Sequence, residues 1–290
     1  MINLLIVGSN SFVGSSVENW FCSEHPGEYD IDTVDAKDGA WKSADFSKYD
    51  VVFQVAGIAH VKKETPEMKD LFFGINADMT EEIAKEAKKA GVKQYIFMST
   101  KGVYSWHVPY IDENTVPAPP QLYGKSKLEG EKRLLKLQSQ DFKTALLRVP
   151  SIYGYKAAGA FYRLLLATEK FFVFPAYKNR MSLIYIDNFC EFVHLVIQRG
   201  LDGVLVPQDA EYVCTSDIVK YAAKARGQFL LLDYISWPFI ALGIKLSKTV
   251  DRVFGDTVFK HDFSMKDSDY NVKTLEQAIK DIISIEKNKK

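Results

Sequence analysis

The chain has 290 residues, 47% of them hydrophobic and 26% charged, the balance of an ordinary globular protein and enough for one large domain or two unequal ones. Basic and acidic residues cancel at 37 each, so bulk charge draws the chain neither to nucleic acid nor to an anionic membrane surface. The three cysteines (Cys22, Cys190, Cys214) and five histidines lack CxxC, HxxH or HExxH spacing, which speaks against a disulfide framework and against a metal site.

Ile2–Val7 is a short β-branched run of the kind found in buried parallel strands, and no basic segment precedes it, so a cytoplasmic protein without a signal peptide is expected. A turn, Gly8–Gly14, follows, then a helix over Ser15–Phe21 and a second strand, Ile31–Val34, running into Asp35. Val51–Val55 reads as a third strand leading into Ala56-Gly57. An amphipathic helix over Thr80–Ala90 stops at Gly91. Tyr95–Met98 is a strand running into Ser99-Thr100, Tyr123–Gln138 a long helix, and Thr144–Val149 another strand. Strands alternating with helices predict an α/β fold, a doubly wound parallel sheet with ligands at the carboxyl ends of its strands. Beyond Pro150 the pattern loosens into aromatic segments at Phe161–Tyr162 and Phe171–Phe174, a strand over Ser182–Ile186 with a helix after Asp187, and a helix over Val219–Ala225 up to Gly227. The basic end, Lys287–Lys290 with one asparagine, reads as a solvated tail. Phe229–Leu246 is the most apolar stretch; with Asp233, Ser236, Pro238 and Gly243 inside it, it reads as a helix packed in a C-terminal lobe or at a dimer contact, and membrane association is not expected.

Gly8-Ser-Asn-Ser11-Phe12-Val13-Gly14 has the outer glycines of a dinucleotide-binding turn and a serine in the middle. Gly8 permits a tight turn, Gly14 permits close helix–strand packing, and a pyrophosphate fits over the free amides of the helix that follows. Ser11 keeps its amide and adds a hydroxyl. Asp35 stands where a carboxylate bonds ribose hydroxyls and repels a 2′-phosphate, which favours NAD(H) over NADP(H), although Lys37 is close by. The alternative is a turn aspartate in Asp35-Ala-Lys-Asp-Gly39. Lys62-Lys63-Glu64 reads as a solvated charge run; Arg180 is placed either to clamp a diphosphate or to form a surface salt bridge.

Tyr123 and Lys127 lie four residues apart, on one face of their helix. An ammonium beside a phenol favours phenolate and brings proton exchange down from about pH 10. With the Thr100 hydroxyl on the same substrate oxygen, the three suit proton transfer coupled to hydride transfer.

These residues resemble the extended short-chain dehydrogenase/reductase family, over about residues 1–200 and weakly beyond. The resemblance implies a Rossmann-type domain over 1–150, with 176–200 returning to it, and a smaller, mainly substrate-binding lobe over 151–290. It implies that Thr100, Tyr123 and Lys127 are the catalytic set, Ser99-Thr-Lys-Gly-Val-Tyr104 being similar to the family's SS/ST-xx-VYG segment. It further implies that Val55-Ala56-Gly57-Ile58 lies along the cofactor, that Asp45-Phe46 contacts adenine, and that Asn76 opens the next helix. Ser99 and the loop Arg148-Val-Pro150-Ser-Ile-Tyr-Gly154 fall near the nicotinamide, and Arg180–Asn188 resembles the substrate-side strand of nucleotide-sugar enzymes. Ser151, Phe174 and Arg180, with Thr100, are then the substrate-binding candidates. Departures are equally plain: Ser11 for the middle glycine, Gln54 for a histidine, and Ser151 where UDP-galactose 4-epimerases carry asparagine. Lys101-Gly102 replaces the Asp-Glu pair of sugar 4,6-dehydratases, which speaks against dehydration.

Ala56–Lys63 and Arg180–Asn188 look closest to a bacterial surface-polysaccharide branch of reductases and epimerases. The resemblance thus implies a homodimeric, NAD(H)- or NADP(H)-dependent oxidoreductase acting at sugar C4, reducing a UDP-4-keto-6-deoxy-N-acetylhexosamine for capsular polysaccharide synthesis. A UDP-sugar 4-epimerase uses the same three residues, and a non-catalytic NAD(P)-binding sensor or scaffold is the alternative of another class.

Overall fold

The structure, a computed structural model, describes all residues except 60–63, 106–107, 171, 264–268 and 290. In chain order the strands are β1 (Ile2–Val7), β2 (Tyr29–Val34), β3 (Val51–Gln54), β4 (Gln94–Thr100), β5 (Tyr110–Ile111), β6 (Lys143–Val149), β7 (Ser151–Tyr153), β8 (Val173–Pro175), β9 (Leu183–Tyr185), β10 (Gly203–Leu205), β11 (Leu231–Asp233) and β12 (Val258–Phe259). The α-helices are α1 (Phe12–Glu24), α2 (Lys69–Phe73), α3 (Met79–Lys89), α4 (Leu122–Leu137), α5 (Ala160–Ala167), α6 (Ile186–Gln198), α7 (Thr215–Arg226), α8 (Trp237–Leu246), α9 (Lys248–Phe254) and α10 (Leu275–Asn288). The chain divides into two compact units. Unit 1 comprises 1–106, 115–149 and 190–207; unit 2 comprises 107–114, 150–189 and 208–290.

Unit 1 is built on a six-stranded sheet of order β10-β6-β4-β3-β1-β2, and every pair in it is parallel. Its strands are near-continuous apolar runs because a parallel sheet is covered on both faces. Period-2 alternation sends Leu5 and Val7 into a cluster with Val52, Tyr95, Phe97 and Leu146, closed by Ile83 and Ala87 of α3 and Leu134 of α4. Leu4 and Ile6, equally buried, face the other side. The strand order reverses between β1 and β3, which opens a crevice at their carboxyl ends. The doubly wound parallel sheet expected from the sequence is therefore present.

Unit 2 holds three two-stranded parallel pairs, β7-β9, β8-β11 and β5-β12, with α5, α7, α8, α9 and α10. Its polar core is organised by Asp209. This carboxylate accepts from the Tyr153 hydroxyl (2.7 Å), the Tyr185 amide (3.0 Å) and Asn188 Nδ2 (2.8 Å). Burial still pushes its pKa up to about 6.

One expectation is corrected here. The apolar stretch 229–246 is not one packed helix: it forms β11 and then α8, and α8 buries none of its residues in the lobe. Pro238 at the helix start and the Asp233 carboxylate, which accepts from the Ile235 amide (2.7 Å) and from the Ser236 hydroxyl, place the break between strand and helix.

Candidate active site

The turn after β1 is shaped by its glycines. Gly8 has φ +123°, and a Cβ there would stand 2.8 Å from the Ala56 amide nitrogen and 2.8 Å from Val55 Cγ2, so only glycine lets the two strand ends meet. The Val55 and Ala56 amides both donate to the Val7 carbonyl at 3.0 Å. Ser11 N-caps α1: its hydroxyl accepts from the Gly14 amide (3.0 Å) and donates to the Gly8 carbonyl (2.8 Å). The Ser11 hydroxyl is thus engaged in closing the turn, and its amide remains at the helix start. What faces the crevice is the amino end of α1, with Phe12 and Val13 in its first turn, and orphan helix amides there suit an anion.

Asp35 accepts from the Lys37 amide (2.9 Å), a turn bond at the end of β2. Asp45 caps a 3-10 turn by accepting from the Ser47 amide (3.2 Å) and hydroxyl (2.6 Å), bonds that hold its carboxyl below the usual range. Phe46 sits in the hydrophobic core. Asn76 is fully buried on a π-type turn, Gly74–Asp78, a distortion frequent at functional sites. Its Oδ1 accepts from the Ile58 amide (3.0 Å), and its Nδ2 donates to the Ile58 carbonyl (3.0 Å) and to Ser126 Oγ (3.0 Å). It therefore fastens the segment after β3 to α4.

Helix α4 carries Tyr123 and Lys127. Two interior glycines let it approach its neighbours: a Cβ on Gly124 would lie 2.1 Å from the Gly102 carbonyl oxygen, and one on Gly130 2.4 Å from the Asn76 carbonyl oxygen. The Tyr123 hydroxyl stands near Thr100, at the carboxyl end of β4, close enough for Thr100 to lower the phenol's pKa. Thr100 Oγ1 also accepts from the Gly102 amide (3.0 Å). Lys127 is 3% exposed; its Nζ donates to the Met98 carbonyl (2.9 Å) and lies 4.4 Å from the centre of the Phe97 ring. A Cβ on Gly57 would stand 2.8 Å from that Nζ, so the ammonium borders the segment after β3. The structure thus brings Thr100, Tyr123 and Lys127 together with Gly57 and Asn76.

Burial raises the Tyr123 pKa, with neighbouring Thr100 opposing it, and burial pushes Lys127 down to about 7. The residue that raises the Lys127 pKa is Glu131, one turn further on.

Two acidic residues proved more important than the sequence indicated. Glu131 is 1% exposed and holds Arg148 (Nη2 to Oε2 2.7 Å, Nε to both oxygens 3.1 Å). It also accepts from Ser99 Oγ, and Arg148 Nη1 donates to the Tyr104 hydroxyl (2.6 Å). Spacing was its signal: Tyr123, Lys127 and Glu131 recur every four residues. Glu64 is no solvated charge: its carboxylate accepts from the Leu122 (2.8 Å) and Tyr123 (3.1 Å) amides, capping the helix that carries the tyrosine. Lys62 and Lys63 of the same run, and Phe171 of the aromatic loop, lie outside the described residues.

The remaining candidates belong to unit 2, as does Pro150. Ser151 is exposed on β7. Phe174 is buried against Phe254, with ring centres 5.9 Å apart. Arg180 is exposed; its amide donates to Asp256 Oδ1 (2.8 Å) and its guanidinium is 3.6 Å from Oδ2.

Among the described residues, His25, Glu191 and His194 bring ligand atoms within 4.8 Å of one another. Their geometry is that of a hydrogen-bonded knot. The two imidazoles stack 3.6 Å apart at 9°, so their in-plane lone pairs run in parallel planes and do not converge on one point. His25 Nε2 bonds Glu191 (2.8 Å), and His194 Nδ1 bonds the Tyr29 hydroxyl (2.8 Å).

The chain belongs to the NAD dependent epimerase/dehydratase family, whose model matches residues 4–206. It is 27% identical over 218 residues to the N-acetyl-alpha-D-glucosaminyl-diphospho-ditrans,octacis-undecaprenol 4-epimerase of Escherichia coli O157:H7, covering 69% of this chain and 65% of that protein. It is 28% identical over 216 residues to the UDP-glucose 4-epimerase of Vibrio cholerae, covering 71% of this chain and 63% of that protein. The matches thus span just under two thirds of these relatives' own lengths. Among solved structures, a dTDP-4-dehydrorhamnose reductase ortholog from Clostridium acetobutylicum superposes with a TM-score of 0.72 over 99% of this chain and all of that one, at 16% identity, a likeness of fold.

Proposed function

We propose that the chain is an NAD(P)-dependent oxidoreductase acting at C4 of a sugar carried on a diphosphate, and that its reaction is reduction of a UDP-4-keto-6-deoxy-N-acetylhexosamine. The observation that carries this reading is the placement of Tyr123 and Lys127 on α4 beside Thr100 at the carboxyl end of β4, with Tyr123 a phenol at neutral pH, its pKa raised by burial. A phenol at neutral pH is a proton donor, which is what reduction of a ketone requires.

The crevice residues fit a dinucleotide. Gly8 lacks the Cβ that would block the turn, Gly57 the one that would strike Lys127, and α1 presents its amino end. When bound there, a reduced nicotinamide supplies the hydride. Thr100 orients the C4 carbonyl oxygen, Tyr123 gives that oxygen a proton, and Lys127, with a pKa of about 7, is poised to restore the tyrosine's proton. Asn76 and Glu64 hold the two segments in register. Asp35 at the end of β2 favours NAD(H). Ser151, Phe174 and Arg180 are proposed for the sugar nucleotide.

A 4-epimerase is the second reading, favoured by the two relatives described above, both of which bear that name. One of them is named for a sugar on a polyprenol diphosphate, so a lipid-linked N-acetylhexosamine belongs to this reading.

Purified protein given UDP-4-keto-6-deoxy-N-acetylglucosamine with NADH or NADPH should oxidise the cofactor as a new UDP-deoxysugar forms. Tyr123→Phe should slow this by about 10²- to 10⁴-fold while cofactor binding persists. Interconversion of UDP-N-acetylglucosamine and its galacto epimer without consumption of cofactor would establish the epimerase instead. Undiminished turnover in Tyr123→Phe would overturn both.

A further inference from the structure

Unit 2 carries an apolar surface that the reaction does not use. On α8, Trp237 (57% exposed), Phe239 (75%), Leu242 (56%) and Leu246 (77%) are open to solvent, and no residue of the helix is buried. On the β8-β11 pair of the same unit, the register partners Val173 and Leu231 are also each 55% exposed. From Trp237 to Ile244 the helix has no charged or hydrogen-bonding side chain apart from the indole of Trp237. Single exposed apolar side chains are common, but a contiguous patch with an aromatic core marks a contact surface.

We propose that this surface docks on a lipid bilayer, with α8 lying in the headgroup–acyl boundary. Three observations select lipid over a protein partner. First, a helix that docks on a protein offers one apolar face and keeps a polar face to water, whereas a helix apolar all round sits in an apolar medium. Here that medium is not the protein's own core. Second, a ten-residue helix is about 15 Å long, half of the roughly 30 Å hydrocarbon layer, and among the described residues no helix is long and apolar enough to cross a membrane. Insertion from one side is the geometry left. Gly243 fits that geometry, because a Cβ on it would lie 3.1 Å from Val250 Cγ1, so α8 packs closely on α9 and lies along the same side of the lobe as it. Third, the charge suits anionic headgroups. Exposed Lys245 ends the apolar run, with Lys248 following in sequence. Asp233, the single acidic residue between 229 and 250, is turned into its own loop by Ile235 and Ser236. Trp237 and Tyr234 are of the type enriched at the interface.

The proposal stands apart from the reaction, since docking can be measured without any sugar. Flotation of the full chain with vesicles of phosphatidylethanolamine and phosphatidylglycerol (about 3:1) should carry the protein to the lipid fraction, with less carried as salt rises. The variant Ile235→Ser/Phe239→Ser/Leu246→Ser alters exposed side chains only, so its circular dichroism should match that of the parent; its partition should fall at least 100-fold, as about tenfold or more per lost apolar side chain implies. Lys245→Glu, which leaves the apolar face intact, should lower partition about tenfold on anionic vesicles and leave partition onto phosphatidylcholine unchanged. Parent protein that stays in the aqueous fraction overturns the proposal, and so does a triple variant that floats as well as the parent. A parent that is dimeric and does not float, with a monomeric triple variant, assigns the surface to a second copy of the chain and overturns it as well.

Discussion

Replacing Gly124 by alanine puts a Cβ 2.1 Å from the Gly102 carbonyl oxygen, 2.9 Å from its carbonyl carbon and 2.8 Å from Pro119 Cβ. A carbon and an oxygen rest at about 3.3 Å, so helix and loop must part by roughly 1 Å. Backbone stands on one side of the clash, and no flexible side chain can yield. Forcing an extra carbon into such a contact costs about 1–3 kcal/mol, against which alanine's better helix propensity returns up to about 1 kcal/mol. The net loss is about 1–2 kcal/mol, visible as a lower urea midpoint at unchanged slope. The larger effect should be on catalysis. Gly102 gives its amide to Thr100, and Gly124 adjoins Tyr123, so the displacement falls between the two hydroxyls proposed to share one substrate oxygen. A misplacement of that size costs about 10²-fold in turnover. Steady-state rates on the 4-keto sugar and cofactor titration by fluorescence separate the effects: kcat should fall while the cofactor Kd stays within a factor of a few. Wild-type kcat together with a wild-type urea midpoint would refute the close approach of α4 to the loop.

Two further outcomes follow from the carboxylates of Glu64 and Asp209. Glu64→Ala removes the acceptor of the Leu122 and Tyr123 amides, so unfolding free energy should drop by about 0.5–2 kcal/mol and kcat should fall; an unchanged urea midpoint would refute the capping role. Asp209 has a folded pKa of about 6 against 3.8 unfolded, so the folded chain binds the extra proton between those values and stability falls as pH rises through that window. The penalty is complete above about pH 6.5 and is on the order of 3 kcal/mol. Asp209→Asn should therefore flatten the stability profile between pH 4 and about 6.5; parallel wild-type and variant profiles in urea titrations at each pH would exclude this carboxyl as their source.

Much of this is legible in the sequence because it is encoded locally. The strands of unit 1 are apolar runs closed by turns. Gly8 and Gly14 are demanded by backbone contact, and the four-residue spacing of Tyr123 and Lys127 fixes a helix face. The helix over 80–90 and the strand into Ser99-Thr100 appear within a residue or two of their expected bounds. What escaped is what depends on distant partners. Glu64 lies 58 residues from the helix it caps, and no local pattern separates a cap from a solvated acid at that distance. Burial, which a sequence does not state, pushes the Lys127 pKa down to about 7. Glu131 was within reach, since it extends the same four-residue series. For α8, hydropathy revealed an apolar helix but not whether protein covers it, because that is decided by the rest of the lobe.

The far edge of the main sheet has a consequence for how the polypeptide comes into being. β10 pairs through Gly203–Leu205 with Ala145–Leu147 of β6, and in the sheet order β6 has no other neighbour on that side. During synthesis the ribosome therefore makes the whole of Lys-Thr-Ala-Leu-Leu-Arg-Val, then dozens of further residues, before the strand that covers it exists. Throughout that interval the nascent chain presents a long apolar edge with unpaired amides and carbonyls, the template on which chains aggregate. A fragment cut after Val149 would keep that edge permanently. An expression boundary meant to isolate the nucleotide-binding half should therefore carry residues 190–207 with it, or be expected to precipitate.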